Sequence, residues 1–207
     1  MSIAQNLNDF RASVTECQSF INYAHTKYAR GNYKIAANLR EFIGESSFLK
    51  IFIAWETFLE QCFIDYLLNE ASILGNMPVK WVHPRDRDHA LKMIVHTQKY
   101  IDWANPEMVR KLSQIYFHNG FFFNSQLSAI NAELLDLKTI RNSAAHLSST
   151  TSAKLDGLSS RLLGRPCVNF TAYDLLFSIN PTSTTGATIL DNYLTILDVS
   201  AEIIANG

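Results

Sequence analysis

The stretch 139–146 reads Thr-Ile-Arg-Asn-Ser-Ala-Ala-His, so Arg141, Asn142 and His146 fall within six positions. Arginine stays charged at any physiological pH, and its fork of donors matches phosphate oxygens. Histidine, with an unperturbed pKa of about 6.5, can take up or release a proton near neutrality. The amide of Asn142 can orient an imidazole or bind phosphate itself. These residue types suit metal-free cleavage of a ribose phosphodiester. The 2′-hydroxyl attacks the adjacent phosphorus, one group accepts its proton, another protonates the departing 5′-oxygen, and the guanidinium stabilises the charge that builds between them. Each positioned proton transfer typically contributes about 10²- to 10⁴-fold, and a positioned donor to the developing charge about 3–4 kcal/mol.

Spacing alone says little. Nine arginines and six histidines in this length give about one Arg–His pair at a gap of four to six by chance, and requiring Asn directly after Arg lowers this to roughly one in twenty. The setting adds more. Leu127, Ile130, Leu134 and Leu137 recur by three and four, which is one face of a helix. The same rhythm extended by four lands on Arg141, where a charge costs stability unless it is paired. Asn142 and His146 are four apart and share a helix face. Arg141 and His146 are five apart and point about 140° from each other on an ideal helix. They can meet on one phosphate through the length of Arg, through distortion at the helix end, or across a symmetric dimer that supplies two of each.

The elements that must position these residues read as helices throughout. The first is predicted over 3–29, with Ile3, Leu7, Phe10, Val14, Cys17, Ile21, Ala24 and Tyr28 on its stripe and Gly31 as its stop. A shorter helix over 32–42 ends at Gly44. A second long helix over 45–74 carries Phe48, Phe52, Trp55, Leu59, Cys62 and Tyr66, a rhythm that suits near-parallel bundle packing. Glu56 flanks that seam and is a candidate to hold Arg141 or His146, the alternative being a structural ion pair with Arg141. A third helix is expected from Pro84 to Ile101, and another from Asn105-Pro106-Glu107 to Phe117. Gly120 and the Phe121-Phe122-Phe123 run read as a loop packed into the core. Asn124 or Ser125 caps the helix carrying Arg141, which runs to about Leu147. A polar turn over 148–152, a short helix over 153–163 stopped by Gly164, an ambiguous segment over 169–179, a Thr/Ser loop over 180–188 and a last helix over 189–204 complete the chain. The last helix is expected to put Tyr193, Ile196, Ser200 and Ile203 on one face.

With 207 residues and 47% hydrophobic residues, the chain can bury a sizeable core and is expected to form a single all-α domain over 1–207. Cys17, Cys62 and Cys167 are scattered and odd in number, which disfavours a disulfide framework or a Cys-rich zinc site; Cys17 and Cys62 fall on apolar stripes and read as core thiols in a reducing cytoplasm. The first ten residues carry Asn and Asp, so no signal peptide is expected. The most apolar segment, 48–68, holds Lys50, Glu56, Glu60 and Asp65, too many charges for a membrane span. No phosphate-cradling glycine loop, dinucleotide fingerprint or nucleophile elbow is present. His83, His89 and His96 are too far apart to hold a metal without other ligands, and Asp86 and Asp88 fit a solvated helix start. No metal and no cofactor is expected. At a net charge of −1, any contact with nucleic acid must come from a local patch. The best candidate is Lys80, Arg85, Arg87, Lys92 and Lys99. An ordinary solvated helix of mixed charge would look the same.

Arg141-Asn142-Ser143-Ala144-Ala145-His146 resembles the signature of HEPN domains, in which Arg is followed, often through a polar residue, by His after four to six positions. Ala54-Trp55-Glu56-Thr57-Phe58-Leu59-Glu60 looks like the second helix of the RiboL-PSP-HEPN branch. The resemblance runs from about Phe48 to Leu147. It implies an up-down helical bundle with extra short helices that forms a homodimer, with metal-independent endoribonuclease activity in the dimer cleft. It also implies a prokaryotic toxin or phage-defence effector, with an antitoxin or neighbouring defence protein as partner. In a related branch, modified by an antitoxin nucleotidyltransferase, Tyr stands two residues after the His. Here that position is Ser148, a departure from the pattern. The competing expectation is a non-catalytic HEPN-like module that binds RNA or protein.

Overall fold

A computed structural model describes residues 2–95, 100–146 and 148–207. Those residues are all-helical, with isolated β-bridges and no strand among them. The helices are α1 (Ile3–Ala24), α2 (Ala37–Leu67), α3 (Arg87–Val95), α4 (Pro106–Tyr116), α5 (Phe121–Ala129), α6 (Asn131–Ala145), α7 (Ser149–Leu163), α8 (Ala172–Leu176) and α9 (Ile189–Asn206). None of them is long and apolar enough to cross a membrane. The chain divides into two compact units, one comprising Met1–Arg11, Trp55–Leu135 and Ile196–Gly207, the other Ala12–Ala54 and Asp136–Thr195.

In the first unit the core is aromatic. The Phe63 ring lies 5.0–6.0 Å from those of Trp103, Tyr116, Phe117 and Phe123. Phe10 packs on Trp55 and Phe58, and the Tyr66 hydroxyl donates to the Ile204 carbonyl at 2.6 Å. Such rings contribute most of a core's buried area. One charge is buried among them. The Asp65 side chain, 2% exposed, accepts from Asn6 Nδ2 at 2.8 Å and pairs with Arg87 Nη1 at 2.6 Å. A carboxylate removed from water persists when donors satisfy its oxygens.

The second unit buries Cys17, Ile21, Phe48, Phe52, Leu137, Ile140, Leu155, Leu175 and Tyr193. Asp136 ties α6 to α7 and α9, accepting from Arg161 and from the Tyr193 hydroxyl.

Several boundaries differ from those the sequence suggests, each for a local reason. Helix α1 stops at Ala24 rather than Ala29. The Thr26 hydroxyl donates to the Tyr23 carbonyl, and the chain reverses through Gly31, at φ +86°, to form a bridge between Lys27 and Tyr33. Gly44 does not break a helix, because α2 runs straight through it. A Cβ at that buried position would lie 2.7 Å from the rings of Tyr173 and Phe177, so glycine serves close packing there. At the other end α2 stops at Leu67, not Leu74. Helix α3 begins at Arg87 because Asp86 accepts the His89 backbone N–H. The expected continuation through His96 and Lys99 lies outside the described residues. Phe121-Phe122-Phe123 opens α5, preceded by a 3₁₀ turn over His118–Gly120. Phe123 is fully buried, in keeping with the expected packing. The expected polar turn at 148–152 forms the first turn of α7, and the ambiguous segment contains α8, capped by Thr171. In α9 Tyr193 and Ser200 are buried, whereas Ile203 is 40% exposed.

Candidate functional site

Helix α6 carries the Arg-Asn-His constellation. It starts at Asn131, not at Asn124 or Ser125, because α5 ends at Ala129 and its C-cap, Ile130, leaves the helical conformation with φ −110° and ψ 24°. The buried stripe of α6 is Leu134, Leu137, Ile140 and Ser143. Arg141 therefore flanks the seam instead of occupying it and is half-buried. Its Nη1 donates to Asn142 Oδ1 at 3.1 Å, which fixes the guanidinium against the helix and leaves further N–H donors for an anion. Among the described residues Arg141 forms no ion pair.

His146 lies one residue past the last helical residue, Ala145, and is exposed. Its backbone is held on both sides. The N–H donates to the Asn142 carbonyl at 3.0 Å, and its carbonyl accepts from Thr151 Oγ1 at 2.7 Å. Thr151 also closes the capping box with Ser148 at the start of α7. The imidazole thus projects from a backbone anchored by two helices, with its ring in solvent. The expected end of this helix at Leu147 lies outside the described residues.

A cleft of about 520 Å³ involves the same segment. Ser143 of α6 lines it with Ser148, Ser149 and Ser152 at the start of α7, and Glu41 and Glu45 of α2 contribute carboxylates. Glu45 is half-buried and accepts the Tyr173 backbone N–H at 3.2 Å. Burial pushes its carboxyl above the ordinary glutamate range, opposed in part by the backbone N–H groups of Tyr173 and Ala172. Sequence reasoning missed Glu45. Taking Gly44 as a helix break placed it at the first position of a helix.

The other sequence candidates belong to the first unit. Glu56 is half-buried on α2. Lys80 donates its ammonium to the carbonyl of Leu67, the last residue of α2, and burial pushes its pKa down. Arg87 holds Asp65 and also donates to Gln61. Lys92 pairs with Asp88 one turn earlier, which raises its pKa. Arg85 is exposed, with its backbone N–H donating to His89 Nδ1 at 3.1 Å. Of the five cations expected to contact nucleic acid, Lys80, Arg87 and Lys92 are therefore engaged within the chain, and Lys99 lies outside the described residues. Among the described residues no three His, Cys, Asp or Glu side chains cluster closely enough to hold a metal ion.

Comparison with protein-family models, curated proteins and solved structures gave no match to this chain.

Proposed function

We propose that the protein is a metal-independent endoribonuclease of the HEPN type, acting as a homodimer, in the manner of a toxin or phage-defence effector. The observation that carries this reading is the end of α6, where the exposed His146 ring follows an Arg141–Asn142 pair held by a 3.1 Å hydrogen bond. In the proposed reaction the ribose 2′-oxygen attacks phosphorus, and the His146 imidazole of one protomer takes its proton. The bond from phosphorus to the 5′-oxygen breaks, and that oxygen takes a proton from the imidazolium of the other protomer. The products are a 2′,3′-cyclic phosphate and a 5′-hydroxyl. Arg141 supplies donors to the non-bridging oxygens, where charge grows in the transition state, and Asn142 orients the guanidinium.

The test is incubation of the purified protein with total RNA in EDTA, beside His146→Ala and Arg141→Ala. The wild type is expected to cleave, leaving cyclic-phosphate ends, and each variant to lose at least about 10²-fold. Intact RNA with the wild type, or equal cleavage by His146→Ala, refutes the proposal. A specific observation favours a second reading, a non-catalytic RNA- or protein-binding module. The net charge is −1, and Lys80, Arg87 and Lys92 are all engaged internally. Salt-dependent RNA binding without cleavage would select it.

A further inference from the structure

The second unit contains another cavity, of about 530 Å³, that the proposed chemistry does not use. Its size lies within the range of small-molecule sites, roughly 300–1,000 Å³. One wall is α1, with Gln18 and Asn22, and His25 just past its end. Another is α8, which contributes Tyr173 and Asp174, with Phe177 at its C-cap, and the start of α9 adds Asp191.

The lining has two features that together restrict its ligand. The first is a cluster of aromatic side chains that pack on one another and are left partly exposed. The rings of His25, Tyr173 and Phe177 are all half-buried, and they are held in place. His25 Nδ1 lies 2.8 Å from the Ile21 carbonyl and Nε2 lies 2.7 Å from the Tyr173 hydroxyl. Gly44 leaves the backs of Tyr173 and Phe177 room to lie against α2. The second is an excess of acceptors. Asp174 and Asp191 each use Oδ2 to cap a helix start, accepting from Thr171 and Thr188. Oδ1 of each carries no hydrogen bond among the described residues. Arg40, the cation lining the cavity, is stacked 3.8 Å over the Tyr33 ring and donates to the Ile35 carbonyl. Two carboxylates against one such guanidinium repel a polyphosphate or free inorganic anion. They attract a ring that presents N–H donors.

We propose that this cavity binds one nucleobase, with guanine the best match. Guanine offers a flat face to stack on the half-buried rings and adjacent N–H donors to the carboxylates, and the amides of Gln18 and Asn22 complement its remaining acceptors. The base can arrive on a free nucleotide or on a single RNA strand. The inference does not depend on the nuclease proposal.

The test is calorimetric titration of the full chain with guanosine 5′-monophosphate, with ribose 5-phosphate as the probe that lacks the base. Saturable binding of the nucleotide is expected, with none of the sugar phosphate. Two variants check the lining. Phe177→Leu keeps bulk and removes a ring face. Asp191→Asn keeps a cap acceptor and removes a charge. Each is expected to weaken binding about five- to a hundredfold, while unfolding midpoints confirm that both fold. No saturable binding at millimolar nucleotide, equal binding of ribose 5-phosphate, or unchanged affinity in either folded variant overturns the proposal. A guanine-containing hexaribonucleotide, titrated into His146→Ala, separates the sources. Affinity more than tenfold above that of the mononucleotide identifies a strand, and equal affinity a free nucleotide. Either result supports the site.

Discussion

Replacing Gly44 by alanine separates two opposing effects that the structure lets one weigh. In a helix interior, Gly→Ala ordinarily stabilises by about 1 kcal/mol, because alanine loses less backbone entropy. At Gly44 the new methyl would lie 2.7 Å from both Tyr173 and Phe177. Tyr173 cannot swing away without breaking its 2.7 Å hydrogen bond to His25. Forcing a group into a filled site typically costs about 1–3 kcal/mol. The overlap therefore wins, with a net loss of about 1 kcal/mol. Gly157 of α7 is the internal control, since a Cβ there meets nothing within 4 Å. Gly157→Ala should gain about 1 kcal/mol. For a chain of this size each kcal/mol moves the thermal midpoint by about 2–4 °C. The two variants should thus separate by about 4–8 °C, with the wild type between them, in melting followed by circular dichroism. If Gly44→Ala gains as much as Gly157→Ala, the aromatic rings do not pack against α2 as described. The reasoning that links Gly44 to the cavity wall would then fail as well.

Two further outcomes follow from burial. Burial raises the carboxyl of Glu45 above its unfolded value, so the native state binds a proton more readily than the unfolded chain. The stability this provides is fully present below the ordinary glutamate pKa of about 4.3 and is lost as pH rises through the raised value. Glu45→Gln keeps an acceptor for the Tyr173 N–H and removes the titration, so its midpoint relative to the wild type should be higher at pH 7 than at pH 4. A difference that does not change with pH would contradict this. Cys17, Cys62 and Cys167 are all buried, and burial raises the thiol pKa of the first two. Ellman's reagent at pH 8 should therefore react slowly with the native protein and promptly with all three thiols in denaturant. Fast labelling of native Cys62 would show that α2 opens locally.

How much of this was visible in the sequence depended on how local its cause was. The stripe Phe48, Phe52, Trp55, Leu59, Cys62 and Tyr66 is buried at every position, because large apolar residues at helical spacing have few other uses. The cap at Asn105 followed by Pro106 opened α4 where expected, with Asn105 accepting from the next two N–H groups. Gly44 was misread because a glycine that ends a helix and one that admits a ring look alike until the ring's position is known. The division at Ile130 was hidden because the apolar rhythm continues through it. Beyond it the buried stripe steps from Leu137 by three, to Ile140 and Ser143, where the reading from sequence stepped by four, to Arg141. The cations at 80–92 looked available because the partner of Arg87 is Asp65, 22 residues away in the chain. The choice of Arg141, Asn142 and His146 rested on residue type and on a resemblance, and burial and hydrogen bonding now give each its setting.

The hydroxyl of Thr151 has a consequence for how this protein can change. It belongs to the cap of α7, yet it holds the carbonyl of His146. The aim of the imidazole is therefore set partly by a side chain with no chemical task of its own. Substitutions at Ser148 or Thr151 would act as fine adjustments, shifting the backbone that carries the ring while Arg141, Asn142 and His146 stay intact. Under the nuclease reading proposed above, a selection for altered cleavage would find graded outcomes at such positions, where His146 itself offers only presence or absence.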